Sequence, residues 1–189
     1  MIKTFHHNKF SSVPELLEIK KEKKSRISVV LPALNEAATI GQIITAIRSE
    51  LIDKYDFVDE LIVVDGQSED ETSRIASECG ASVYNVEEIG PQVLSYGKGT
   101  ALWKSQFVLD KPSSCSDIVI FIDSDIIGFN HWLVTGLAGP LLLDDNLVFT
   151  KAFYNRPLIL DSQLHEKQGG RVTEILVRPL ICALIPELA

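Results

Sequence analysis

The 189-residue sequence contains few cysteines and histidines and no long apolar run. Its three cysteines, Cys79, Cys115 and Cys182, are spaced for neither a disulfide framework nor a Cys-x-x-Cys metal knuckle, so we expect reduced thiols. The four histidines show no ligand spacing on a helix. No run approaches the roughly 18 to 20 apolar residues of a membrane span, and the start lacks the apolar region of a signal peptide. These absences predict a soluble cytoplasmic protein with no membrane contact.

Acidic residues outnumber basic ones, which disfavours a nucleic-acid-binding surface. The net charge is −8 and the isoelectric point is near 5.0, so an anionic substrate would need local basic residues to bind. A hydrophobic content of 46% is typical of a globular chain with one core. Residues 1–26 are polar and end in KKEKKSR; we interpret them as a solvated lead-in before a single domain over residues 27–189.

Short β-branched runs alternate with longer helical patterns from Ile27 onward. The predicted strands cover residues 27–31, 60–65, 81–86, 118–122 and 147–153. The predicted helices cover a segment between Asn35 and Leu51, a segment from a Ser68–Glu71 capping box to Gly80, and residues 98–109 and 172–184. This alternation predicts an α/β fold with a mostly parallel sheet between helices. The apolar run 118–122 predicts a strand buried on both faces.

Polar groups follow three of the predicted strands, at the edge where ligands bind in such folds. Asp123 and Asp125 end the run IVIFIDSD, and on extended chain both side chains would share one face. Paired carboxylates favour a divalent cation such as Mg²⁺, although a strand end and turn would explain the same tripeptide. Asp65 precedes a glycine turn, where it could bind a ribose or base or simply form the turn.

Two glycine-rich segments carry a basic residue. Lys98 lies between Gly97 and Gly99, where it could contact a diphosphate, although a flexible loop is the simpler interpretation of the bare motif. Arg171 follows a glycine pair before the last predicted helix. That pattern suits a small phosphate or carboxylate ligand, or alternatively a glycine loop with a surface arginine.

Taken in order, six segments resemble the GT-A glycosyltransferases, and among them the glucosyl-3-phosphoglycerate synthases. The segments are VLPALNE, ELIVVDGQSEDET, GKGTALWKS, IVIFIDSDI, KAFYNRPL and GGRVTEILVRPL. The resemblance implies a Rossmann-like GT-A fold and transfer of glucose from UDP-glucose or GDP-glucose to 3-phosphoglycerate, with retention of configuration. It also implies a Mg²⁺, Mn²⁺ or Co²⁺ cofactor, a homodimer, and a product that is the precursor of the compatible solute glucosylglycerate.

The resemblance also assigns residues to the site. Those placed around the nucleotide sugar are Pro32, Ala33, Leu34, Glu36, Asp65, Ser68, Lys98, Asp123 and Ser124. Asp125 is the implied metal ligand, and the implied acceptor-binding residues are Gly170, Arg171, Val172 and Thr173. The family pattern D-S-G-S-T-D reads D-G-Q-S-E-D here, which alters the contacts near Ser68. No protein nucleophile stands out.

Members of the resembled family continue past the position of Ala189, and that part supplies an acidic residue and a histidine to the metal site. We therefore expect the C-terminal part of the fold to be missing from this sequence. A nucleotide-sugar-binding fragment without turnover and a lipid-phosphate glycosyltransferase remain alternatives. A sugar-phosphate nucleotidyltransferase is disfavoured because no G-x-G-T-R loop follows the first strand.

Overall fold

The computed structural model describes residues 3–93, 97–110 and 116–152, together with the backbone of residues 158–160 and 163–165. The chain divides into two compact units, Met1–Lys151 and Ala152–Ala189. In the second unit, β5 (Leu158–Leu160) pairs antiparallel with β6 (Gln163–His165). Within the described ranges, no helix is long and apolar enough to cross a lipid bilayer.

The first unit is a parallel sheet packed between helices. Its strands are β1 (Ile27–Ala33), β2 (Glu60–Asp65), β3 (Ser82–Asn85) and β4 (Ile118–Phe121), in the order β3-β2-β1-β4. Its helices are α1 (Val13–Lys23), α2 (Ile40–Ile47), α3 (Thr72–Glu78), α4 (Lys98–Leu109) and α5 (Trp132–Leu143). A 3₁₀ turn (His7–Phe10) precedes α1, and a π-helical turn (Arg48–Ile52) continues α2.

The two faces of the sheet enter separate apolar cores, because successive strand residues point to opposite sides. Val29 and Leu31 of β1 lie in the larger core with residues of α1, α2 and α5. Val30, between them, lies in a smaller core with residues of β2 and α4. The buried Lys104 of α4 donates a hydrogen bond to the carbonyl of Val86 (2.6 Å), which ties α4 to the segment after β3.

Most of the predicted elements are confirmed. The α/β class and the parallel sheet are as expected, and β2 and α4 have the predicted bounds. Gly80 ends α3 as expected, with the left-handed φ of +90° that glycine adopts readily. The predicted burial of residues 118–122 on both faces is wrong: Ile118 and Ile120 are buried, but Phe121 is 40% exposed. The smaller core covers Val119 only partly.

Other predictions differ from the structure. The polar lead-in forms α1, and its buried Val13 and Leu16 join the larger core. Helix α5 has no counterpart among the predicted elements. Residues 147–152 contain no strand, and the predicted helix 172–184 lies outside the described residues. The Ser68–Glu71 capping box is wrong, since α3 begins at Thr72 and the Ser68 hydroxyl is directed to Asp65 instead.

The N-terminal segment packs against two glycines of α5. Phe10 is 3% exposed and lies over Gly139 so closely that an added Cβ would meet its Cδ1 at 2.3 Å. At Gly136 an added Cβ would lie 3.4 Å from the Cβ of His7, an ordinary contact. The glycines therefore provide the space into which this segment docks.

Candidate functional site

A cleft of about 220 Å³ opens at the carboxyl edge of the sheet. The loops after β1 and β2, the start of α4 and the turn after β4 form its walls. Its lining residues are Pro32, Ala33, Leu34, Glu36, Gly66, Gly97, Lys98, Ala101, Ser124 and Asp125. Parallel strands place their following loops at one edge, which explains why segments far apart in sequence meet there.

The loop after β1 forms the apolar side of the cleft. Pro32 and Ala33 are buried, whereas Leu34 is 52% exposed and provides apolar surface at the cleft. Asn35 has a φ of 58°, a left-handed conformation that asparagine tolerates better than most residues. Glu36 is half-buried and lines the cleft.

The turn after β4 holds the two aspartates on either side of a buried serine. The Ser124 hydroxyl donates to the carbonyl of Pro32 (2.7 Å), and the Thr39 hydroxyl donates to the carbonyl of Ser124 (2.6 Å). These bonds attach the turn to β1 and to the residue before α2. Strand β4 ends at Phe121, so Asp123 lies in the irregular residues after it and Asp125 lies in the turn, and neither is on extended strand as predicted. Asp125 is exposed and lines the cleft.

Lys98 begins α4 and supplies positive charge at the cleft. Its ammonium group pairs with the carboxylate of Asp123; the Lys98 side chain is exposed and Asp123 is half-buried. Gly97, just before it, has an extended backbone and open space where a Cβ would project. Ala101, one turn further along α4, is small and buried against the cleft. A phosphate-bearing ligand in this cleft would meet a cation and the amino end of a helix.

Asp65 and Ser68 lie next to the cleft but are not among its lining residues. Asp65 is 3% exposed, and its carboxylate accepts hydrogen bonds from the backbone N–H of Ser68 (3.3 and 3.2 Å) and from the Ser68 hydroxyl (2.5 Å). Gly66 follows Asp65 and does line the cleft, with its N–H bonded to the carbonyl of Ala33 (2.8 Å).

The carboxylates at this site fit a cation that a bound ligand also coordinates. Among the described residues, no group of three histidine, cysteine or acidic side chains is placed to hold a metal ion. Asp125 nevertheless provides an exposed carboxylate at the cleft, and the carboxylate of Asp123, two residues earlier, is paired with Lys98. Mg²⁺ commonly takes one or two protein carboxylates and completes its octahedron with water and phosphate oxygens. The donor set therefore suits Mg²⁺ bound together with a diphosphate.

Most of the predicted nucleotide-sugar residues meet in one place. Pro32, Ala33, Leu34, Glu36, Lys98, Ser124 and Asp125 line the cleft, and Asp123 contacts Lys98. The predicted acceptor residues Gly170, Arg171, Val172 and Thr173 lie outside the described residues. Gly66, Gly97 and Ala101 were not assigned from sequence. In the sequence these three residues are marked only by their small size and by a neighbouring polar motif. Many turns share both features, so the pattern does not single these residues out.

Comparison with known proteins relates the chain to glycosyltransferases. The sequence model of Glycosyl transferase family 2 matches residues 28–134. A glucosyl-3-phosphoglycerate synthase of Petrotoga mobilis is 43% identical over 188 residues, covering 99% of this chain and 56% of that protein. One from Mycobacterium tuberculosis is 46% identical over 176 residues, covering 90% and 52%. The chain thus spans about half the length of these relatives.

A solved structure supports the same relationship. The M. tuberculosis glucosyl-3-phosphoglycerate synthase in complex with Mn²⁺, UDP-glucose and phosphoglyceric acid has a TM-score of 0.74 and 43% identity. The match covers 94% of this chain and 55% of that one. The sheet of the first unit is therefore the sheet of a GT-A fold, as predicted.

Proposed function

The chain belongs to Glycosyl transferase family 2, and we propose that it transfers glucose from UDP-glucose to 3-phosphoglycerate, giving glucosyl-3-phosphoglycerate. GDP-glucose is a second proposed donor. The observation that carries the proposal is the cleft at the carboxyl edge of the sheet, where Lys98 and Asp125 line the same space as the apolar loop after β1. Similarity to a synthase whose structure holds UDP-glucose and phosphoglyceric acid supports this choice of substrates.

The cleft offers a separate surface to each part of a nucleotide sugar. Leu34 and the buried Pro32 and Ala33 form an apolar wall suited to the nucleoside. Lys98 carries a point charge suited to the diphosphate. Asp123 is the proposed partner of the nucleoside hydroxyls, next to Lys98. The proposed donor set also includes Glu36 and Ser124, which line the cleft, and Asp65 and Ser68, which support the neighbouring loop.

Asp125 is the proposed protein ligand of Mg²⁺, with Mn²⁺ and Co²⁺ as possible substitutes. When bound, the ion would stabilise negative charge on the departing diphosphate. Lys98 would stabilise the same charge from the protein side. Retention of configuration is part of the proposal. In a same-face displacement the departing phosphate oxygen accepts the proton of the attacking hydroxyl, so the reaction requires no protein nucleophile.

The acceptor is proposed to bind at Gly170, Arg171, Val172 and Thr173. The guanidinium of Arg171 would hold the phosphate or carboxylate of 3-phosphoglycerate and so orient its hydroxyl toward the anomeric carbon. We expect Arg171→Ala to raise the KM for 3-phosphoglycerate by about tenfold or more, roughly 1.4 kcal/mol, with a smaller change in the KM for UDP-glucose. A larger effect on the donor KM would contradict this assignment.

A cytoplasmic homodimer completes the proposal. Three scattered cysteines, of which Cys79 is a free thiol, suit a reducing compartment. Sedimentation of the purified chain tests the dimer, and fractionation of the cells that produce it tests the location.

The direct test is an assay with isotope-labelled UDP-glucose, 3-phosphoglycerate and Mg²⁺, with chelated metal and omitted acceptor as controls. We expect a metal-dependent product with the mass of glucosyl-3-phosphoglycerate and an α-anomeric proton in its NMR spectrum. Replacing the donor with GDP-glucose measures nucleotide preference. Donor binding without transfer would indicate a nucleotide-sugar-binding module instead. Transfer to lipid in added membranes would indicate a lipid-phosphate glycosyltransferase.

A further inference from the structure

The loop after β1 is held by side chains of the loop after β2. Three consecutive backbone N–H groups of this loop, which precede α2, each donate to a side chain of the loop after β2 or of Thr72, the first residue of α3. The hydrogen bonds run from Asn35 to Ser68 Oγ (2.9 Å), from Glu36 to Thr72 Oγ1 (2.8 Å) and from Ala37 to Asp70 Oδ2 (3.1 Å). A fourth bond runs the other way, from the N–H of Glu69 to the side-chain oxygen of Asn35 (2.9 Å).

Each of the two hydroxyls accepts from an amide and donates to a carboxylate. The Ser68 hydroxyl donates to Asp65, and the Thr72 hydroxyl donates to Asp70. Because each hydroxyl proton is engaged by a carboxylate, the oxygen lone pairs face the amides of the other loop. The pKa of Asp70 is lowered, chiefly by the hydrogen bond from the Thr72 hydroxyl and further by the N–H groups of Thr72 and Ala37. Asp70 therefore remains an ionised acceptor at neutral pH.

The loop after β1 carries the apolar wall of the cleft, and its backbone adopts a conformation that needs support from other contacts. Asn35 and Gln67, one in each loop, both have left-handed φ values, 58° and 73°. Such conformations persist where surrounding contacts determine them. Leu34 and Glu36 flank Asn35 and line the cleft. A shift of the loop would therefore move two residues of the proposed donor site.

We propose that Ser68 and Thr72 are positioning residues, which set the affinity for the nucleotide sugar by holding the loop of residues 34–37 through two amide–hydroxyl–carboxylate relays. This inference rests on the proposed function. It also refines the role predicted for Ser68, which acts through the loop and not by touching the ligand. Because the three amides already have acceptors, they do not form the diphosphate site, and that role stays with Lys98 and the start of α4.

The test removes each hydroxyl while keeping side-chain volume. Thr72 is fully buried, so Thr72→Val preserves its shape, and Thr72→Ser restores the hydroxyl. We expect Thr72→Val and Ser68→Ala each to raise the Kd for UDP-glucose with Mg²⁺ by about tenfold, measured by calorimetry. Thr72→Ser should recover wild-type affinity within about twofold. The KM for 3-phosphoglycerate should stay within about twofold in all three variants.

Thr135→Val is the matched structural control. Thr135 is 1% exposed and bonds within α5 (3.4 Å to the carbonyl of Trp132), and it does not line the cleft. This variant should lower the unfolding temperature without changing the Kd. The inference would be overturned if Thr72→Val and Ser68→Ala both bound UDP-glucose with wild-type affinity. It would also be overturned if Thr135→Val lost as much affinity for UDP-glucose as those two variants. Ser68 is only half-buried, so its variant remains informative if Thr72→Val does not fold. Absence of UDP-glucose binding by the wild type would overturn the proposed function, and this inference with it.

Discussion

Replacing Gly139 with alanine should destabilise the protein although alanine is the better helix former. The substitution lies inside α5, where alanine is favoured over glycine by about 1 kcal/mol. The added Cβ, however, would lie 2.3 Å from Cδ1 and 2.6 Å from Cγ of Phe10. Because Cγ lies on the axis about which the ring rotates, and the Phe10 Cβ is itself only 3.0 Å from the added Cβ, rotating the ring does not relieve the overlap. The aromatic residue must shift or leave the core.

The cost of that shift exceeds the gain in helix propensity. Overpacking costs about 1–3 kcal/mol, and expelling a buried phenylalanine loses about 1.5–3 kcal/mol. We therefore expect Gly139→Ala to lower the free energy of unfolding by about 1–2 kcal/mol. That loss corresponds to roughly 2–8 °C in Tm for a chain of this size. Urea titration followed by circular dichroism measures the first quantity, and a thermal scan measures the second.

Gly136→Ala is the matched control on the same helix. Its Cβ would lie 3.4 Å from the Cβ of His7, an ordinary contact, so the gain in helix propensity should remain and raise stability by up to about 1 kcal/mol. In a Phe10→Ala background only the contact with the Cβ of residue 10 (3.0 Å) remains, so Gly139→Ala should then destabilise much less than in the wild type. Equal stabilisation by both glycine substitutions in the wild-type background would refute the reasoning.

Three further predictions concern the site and the N-terminal segment. Ser124→Ala should lower the free energy of unfolding by about 1–3 kcal/mol, because it leaves the carbonyl of Pro32 without its buried donor; an unchanged urea midpoint would contradict this. Asp125→Ala should remove the Mg²⁺-dependent part of UDP-glucose affinity, on the order of tenfold or more by calorimetry; retention of that dependence would exclude Asp125 as the metal ligand. Hydrogen bonds from Lys3 and Asn146 lower the pKa of Asp144 from 3.8 to about 2. The ionised Asp144 therefore stabilises the folded state above pH 3.8, and this stabilisation is lost as the pH falls toward 2. The Tm difference between wild type and Asp144→Asn should shrink over that interval, and a constant difference would count against the contact.

Elements with strong local signals were predictable from sequence. Residues 60–65 and 98–109 form the expected strand and helix, since apolar periodicity and flanking glycines are local properties of the chain. The strand-end rule also predicts Glu36 and Asp125 at one edge of the sheet, where both line the cleft. It works because all strands of a parallel sheet end on the same side.

Elements whose stability depends on distant partners were not predictable. Helix α1 has few apolar residues, a pattern that predicts a solvated segment, yet Val13 and Leu16 are buried against other parts of the chain. Helix α5 contains two glycines and Pro140, which are poor helix formers, and its glycines make sense only with Phe10 against them. Residues 147–152 have strand-like composition but no strand partner within the described part of the chain, and Val148 is 93% exposed there.

The order of apolar runs and polar strand ends was enough to establish the parallel α/β architecture and the edge that carries the site, because both follow from local chain geometry. The tertiary structure decides which side chains line the cleft and which only support it. That distinction depends on contacts between loops that are about 30 residues or more apart in the sequence. Asp65 and Ser68 are polar strand-end residues like Asp125, and nothing local separates them. In the structure Ser68 is hydrogen-bonded to Asp65 and to the N–H of Asn35, so these side chains support the loop after β1, whereas Asp125 lines the cleft.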